Sequence, residues 1–119
     1  MNVFEYAARC EQGWEKGLKE MGNYKRKTTF YADLSMAECY GKDEVKDTYR
    51  RVMKSWIDDV EYITEFILCL NHKAWEWYGR KNREMSELYS TLYEEGRDKF
   101  YEKYEGDEKA CDYFFKVMD

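Results

Sequence analysis

The chain has 119 residues, a formal net charge of −5 and no proline, which is one domain's worth of sequence with no sign of a proline-rich linker. Leu, Ile, Val and Phe supply only about 17% of it, while 12 Tyr, 4 Trp and 6 Met carry much of the apolar content, so the core has to be aromatic. The acidic balance argues against broad duplex-DNA binding, which needs a basic face to neutralise phosphates.

Taken in chain order, Asn2 is a good N-cap and Gly22 a good C-terminal stop. Between them Val3, Ala7, Cys10, Trp14, Gly17 and Met21 recur at helical spacing, predicting a first helix over 3–21. Residues 23–34 show no such stripe. Lys25, Arg26 and Lys27 followed by Thr28 and Thr29 read as a basic and aromatic loop. Ser35 is placed to cap a short helix closed by Gly41, and Asp43 to cap the next, with Val45, Tyr49, Val52 and Trp56 inward. Asp58-Asp59 marks a kink or a break, because both residues favour caps over helix interiors; one bent helix over 43–78 and two separate ones both fit.

Beyond it, Val60, Ile63, Ile67, Leu70, Ala74 and Trp77 form one stripe, and Phe66, Leu68 and Trp75 extend the apolar surface around the helix. Such a helix belongs at the centre of a bundle, so 59–78 is the predicted central helix, ended by Gly79. Asn82 or Ser86 starts a fourth, with Met85, Tyr89, Leu92, Gly96 and Phe100 inward and Gly106 at its end. Asp107 caps a last short helix with Ala110, Phe114 and Val117 inward. The expected fold is all-α: a single-domain bundle of four main helices plus a short one, with 35–119 forming the helical body.

Cys10, Cys39, Cys69 and Cys111 lie far apart with no C-x-x-C pair, so reduced thiols in a cytoplasmic protein are expected. Met1 to Ala8 lacks the basic start and apolar stretch of a secretory signal. The longest apolar run, Phe66 to Leu70, is too short to span a bilayer, and no membrane association is expected.

Candidate chemistry is sparse. Glu65, Cys69, His72 and Glu76 follow one another at spacings of four, three and four and carry donor types that suit zinc or another transition metal. The simpler reading is the polar outer stripe of a buried helix, because steps of about 6 Å along one helix overshoot a single ion. A di-iron bundle centre needs paired Glu-x-x-His motifs; His72, the only histidine, has Cys69 in the place of the glutamate. Cys69 and His72 are also neighbours enough for a thiol nucleophile and its base, but no phosphate- or oxyanion-binding glycine loop accompanies them. The protein is expected not to be an enzyme and to hold no cofactor.

Two surfaces suggest partners instead. Lys25, Arg26 and Lys27, with Tyr24, Phe30 and Tyr31 around them and Arg80, Lys81 and Arg83 further on, mix cations with rings as single-strand nucleic-acid binders do. At the end of the central helix, Trp75 and Trp77 cannot both face one core; together with Tyr78 and Arg80 they supply the residue types that dominate protein–protein hot spots.

The strings Thr28-Thr29-Phe30-Tyr31-Ala32-Asp33-Leu34, Asp47-Thr48-Tyr49, Ser55-Trp56, Thr64-Glu65 and Leu70-Asn71-His72-Lys73-Ala74-Trp75, with Tyr89 and the closing Tyr113-Phe114-Phe115 to Asp119, resemble a group of short all-helical proteins of gut anaerobes, their phages and mobile elements. The resemblance covers most of 28–119. It implies a genomic setting and an accessory role and carries no catalytic or binding residues, because the group has no established activity. Thr64 and Asn71, polar residues on or beside a buried helix, should find hydrogen-bond partners, and Asn71 is expected to tie the central helix to the Thr28–Asp33 segment. The leading expectation is a small non-enzymatic interaction protein that binds another protein. The alternatives are a single-stranded nucleic-acid accessory protein and a metal- or thiol-dependent enzyme at Cys69 and His72.

Overall fold

Alternating helical stripes and capping residues organise residues 29–119, the part of the chain described by the structure, a computed structural model. The expected helix over 3–21 and the cluster Lys25, Arg26 and Lys27 lie outside the described residues. Within them the chain forms helices over 29–40 (α1), Lys42–Trp56 (α2), Val60–Gly79 (α3), Arg83–Lys103 (α4) and Glu108–Met118 (α5), with no strand. This is the expected all-α bundle.

The largest departure from expectation is α1. Residues 29–34 are helical, not a loop, and Ser35 lies inside the helix instead of capping it. Phe30, Leu34 and Ala37 recur at spacings of four and three and are all buried. The Phe30 ring meets Tyr62 and Phe66 edge-on, with centroids 4.8 and 5.2 Å away. Burying this stripe outweighs the weak helix preference of the threonine beside it. Gly41 then turns the chain with φ 122°. Its N–H donates to the Ala37 carbonyl (3.1 Å) and its own carbonyl accepts from Val45 (3.3 Å). Gly41, not Asp43, therefore occupies the N-cap of α2, and Asp43 stands in the first turn, where its charge favours the positive end of the helix.

Asp58-Asp59 divides the next stretch into two helices. The Asp59 carboxylate accepts from the Tyr62 N–H at 3.0 Å and caps α3. Across this turn Trp56 stacks on Tyr62, ring centroids 4.0 Å apart, and the Tyr104 hydroxyl donates to the Ile57 carbonyl at 2.6 Å. Trp56, expected inward, is 40% exposed. Asn82 and Asp107 cap α4 and α5 in the same way, accepting from Met85 and Ala110 at 3.1 Å each.

α3 is the centre of the bundle and packs against α2, α4 and α5. Ile63, Phe66, Ile67 and Leu70 are fully enclosed. α4 approaches closely at Gly96, where a Cβ would already stand 3.4 Å from Ile67 and 3.5 Å from Tyr49. α5 closes the far end by stacking Phe114 on Phe100, with centroids 4.4 Å apart. Thr64 defeats the expectation of a partnered polar group: it is completely buried, and its hydroxyl has no hydrogen-bond partner among the described residues. An unsatisfied buried hydroxyl costs about 1–3 kcal/mol. Thr64→Val, which keeps the shape and removes that group, is therefore expected to raise the unfolding free energy by about 1 kcal/mol in urea titrations.

Candidate functional site

One end of α3 carries the chemistry, on two of its faces. On the inner face, a lysine interrupts the apolar stripe. Lys73 is 98% buried (2% exposed) and reaches α1, where its Nζ donates to Ser35 Oγ at 2.7 Å and to Glu38 Oε1 at 3.1 Å. The same ammonium sits 4.1 Å from the centre of the Tyr31 ring. The second oxygen of Glu38 accepts from Trp77 Nε1 and from the Tyr89 hydroxyl, both at 2.7 Å. The Tyr31 hydroxyl donates to Glu76, which also pairs with Arg80 at 3.1 Å and lies 4.0 Å from Lys73. Taking a lysine and a glutamate out of water is costly unless their donors and acceptors find partners; here Lys73 gives two hydrogen bonds and a ring contact, and both oxygens of Glu38 accept.

The phenols record this environment. The hydrogen bond to Glu76, followed by burial, pushes Tyr31 up to about 12. Burial, followed by the bond to Glu38, holds Tyr89 well above the ordinary tyrosine range. Both stay neutral donors at physiological pH. Because each charged group is held by the chain's own side chains, the network acts as a lock joining α1, α3 and α4. Asn71 is not the tie to α1; it lies half-buried beside Trp75 on a different face, and Lys73 makes the connection instead. A single lysine within an apolar stripe was the sequence signal for it.

The outer face is open. Trp75 is 66% exposed and Tyr78 68% exposed, their rings meeting edge-on with centroids 5.8 Å apart. They wall two adjoining clefts between α3 and α4, of about 340 and 640 Å³, which share Tyr78 and Ser86. Ser86 donates to the Ala74 carbonyl at 3.0 Å, pinning the first turn of α4 to α3 and fixing the cleft floor. Trp77 points the other way, to Glu38, so the expected partner surface separates into an exposed pair and a half-buried anchor. Arg80 belongs to both, lying 5.0 Å over the Trp77 ring while pairing with Glu76.

The remaining expected sites are not assembled in this way. Among the described residues no three His, Cys, Asp or Glu side chains are placed to hold a metal ion. Of the set Glu65, Cys69, His72 and Glu76, Cys69 is buried in the core, His72 is exposed and Glu76 serves the lock. Cys69 and His72 thus face different surroundings. In the basic run, Arg83 pairs with Glu87 at 2.8 Å, and Lys81 lines the larger cleft. A separate cleft of about 530 Å³ between α2 and α4 is edged by Arg50, Lys54, Lys99 and Lys103 over Met53 and Ile57. Its cations are largely answered by Asp47, Glu95 and Asp58, which leaves a weak field.

Removing one member of a buried pair leaves the other uncompensated. Lys73→Met is expected to destabilise the fold by about 3 kcal/mol in urea unfolding, and Lys73→Met with Glu38→Gln by less than the two single changes combined. Tyr31 and Tyr89 have folded-state values raised above the unfolded tyrosine value, so the folded state keeps their protons longer. Their contribution is complete below about pH 10 and declines as pH rises towards 12 and beyond. Stability measured across that range should fall more steeply for the wild type than for Tyr31→Phe or Tyr89→Phe. No known protein family, curated protein or solved structure matches the chain, and its functional evidence is the arrangement of its own side chains.

Proposed function

We propose that this is a small, non-enzymatic interaction protein that binds another protein through the Trp75–Tyr78 ridge and the clefts beside it. The observation that carries the reading is the exposure of two large neighbouring rings, 66% and 68%, on a helix whose opposite face is locked by buried charges. Exposed aromatic side chains on a rigid support lose little conformational entropy on binding and dominate interface energetics. One concrete form of this reading is a modulator of a host system encoded by a phage or mobile element.

A nucleic-acid role has less support. Two of the three bases near the ridge, Arg80 and Arg83, are already paired with carboxylates, and single-strand binding draws its strength from phosphate contacts.

The test is capture of a partner from host lysate at physiological salt, repeated with Trp75→Ala/Tyr78→Ala. A specific partner held by the wild type should bind the double variant at least about tenfold more weakly. Equal retention by both proteins would refute the ridge as the binding surface.

A further inference from the structure

The turn between α3 and α4 carries two residues that its own backbone does not favour. The helix ends in a paired arrangement in which Asn82 N–H bonds to the Trp77 carbonyl and Lys81 N–H to the Tyr78 carbonyl, each at 3.0 Å. That motif places one residue in the left-handed region, and glycine is its usual occupant. Here the residue is Lys81, with φ 60°, a conformation unfavourable for a side chain with a Cβ. Gly79, two positions earlier, is the last residue of the helix, where alanine is favoured over glycine. A Cβ on Gly79 would meet nothing within 4 Å, so packing within the chain does not require the glycine.

Both residues line the same cleft, together with Tyr78, Arg83, Ser86 and Glu87. Local strain that internal packing does not explain is concentrated at binding sites more often than elsewhere. The electrostatics of this cleft are equally specific. Arg80, Arg83 and Lys42 at this end pair with Glu76, Glu87 and Glu84, whereas Lys81 has no ion pair among the described residues. In a chain of net charge −5, the cleft therefore presents one cation with no ion pair among the described residues beside the exposed Tyr78 ring, with Trp75 5.8 Å from that ring on the adjoining cleft, and Gly79 leaves the wall low enough for close backbone approach.

We infer that this cleft takes an acidic, apolar segment of a partner protein, with a large apolar side chain packed against Trp75 and Tyr78 and a neighbouring Asp or Glu carboxylate on Lys81. One free cation suits one carboxylate; a nucleic-acid strand would need several. The inference rests on the ridge being the binding surface.

A displayed random peptide library, panned against the whole protein and against variants, tests it with peptides as the probe. Peptides enriched on the wild type should pair an acid with a large apolar residue at a fixed spacing. Enriched peptides should bind Lys81→Gln at least about tenfold more weakly. They should bind Gly79→Ala comparably weakly, because the added methyl group narrows the cleft. The same two positions should gain stability when the fold's own preference is restored: Gly79→Ala and Lys81→Gly are each expected to raise Tm by about 3 °C. For Gly79→Ala that gain also separates lost binding from lost folding, and Lys81→Gln, which keeps the Cβ, should leave Tm unchanged.

Enriched peptides that depend on Trp75 and Tyr78 but carry no acidic bias overturn the inference and leave the ridge standing. Peptides indifferent to Trp75→Ala/Tyr78→Ala, or no enrichment at all, overturn both. Oligothymidylate binding that falls steeply with salt and is lost in Lys81→Gln overturns the inference in favour of single-stranded nucleic acid.

Discussion

The arrangement of the described helices depends on one buried ion pair. Lys73 is buried and Glu38 largely so, and charges in that setting are tolerated only when their partners are fixed in place. The partners come from three helices: Ser35 and Tyr31 from α1, Trp77 from α3 and Tyr89 from α4. Apolar burial alone tolerates some sliding of one helix along another, whereas a lysine that must meet both a hydroxyl and a carboxylate does not. The pair therefore selects one register for α1 among those its Phe30–Leu34–Ala37 stripe would accept.

That lock separates the two faces of α3. Its inner side is committed to the bundle, and the side bearing Trp75 and Tyr78 is left to solvent. Trp75 and Trp77 are two residues apart and have opposite fates: the first is exposed, and the second spends its indole N–H on Glu38. Binding at the ridge would consequently require little rearrangement, and the residues least suited to the backbone, Gly79 and Lys81, lie where the ridge meets the turn.

Much of this architecture was legible in the sequence because its signals are local. Asp59, Asn82 and Asp107 act through their own side chains on a backbone N–H three residues ahead, and the stripes of α3 to α5 follow from periodicity. The helical character of 29–34 was hidden because its stripe continues past Leu34 to Ala37, while basic and β-branched neighbours suggested a loop. Glu38 was hidden for a different reason: it reads as an ordinary surface charge until the helices are superposed, whereas Lys73 stands beside the apolar stripe of α3. That Trp75 and Trp77 have different surroundings followed from helix geometry, though which of them is exposed did not; nor did the left-handed backbone at Lys81, since Gly79 was the residue whose type announced a stop.

The separation of Glu38 from its partners along the chain also orders the route by which the molecule is made. Lys73, Trp77 and Tyr89 lie 35, 39 and 51 residues downstream of it. The hairpin of α3 and α4, joined by a short turn, can close early with little loss of loop entropy. The carboxylate of α1 meets Lys73 and Trp77 on α3 alone, but completes its set with Tyr89 only once that hairpin stands. Burial of the glutamate is thus a late event in assembly, the moment at which a loosely gathered set of helices becomes a single defined shape.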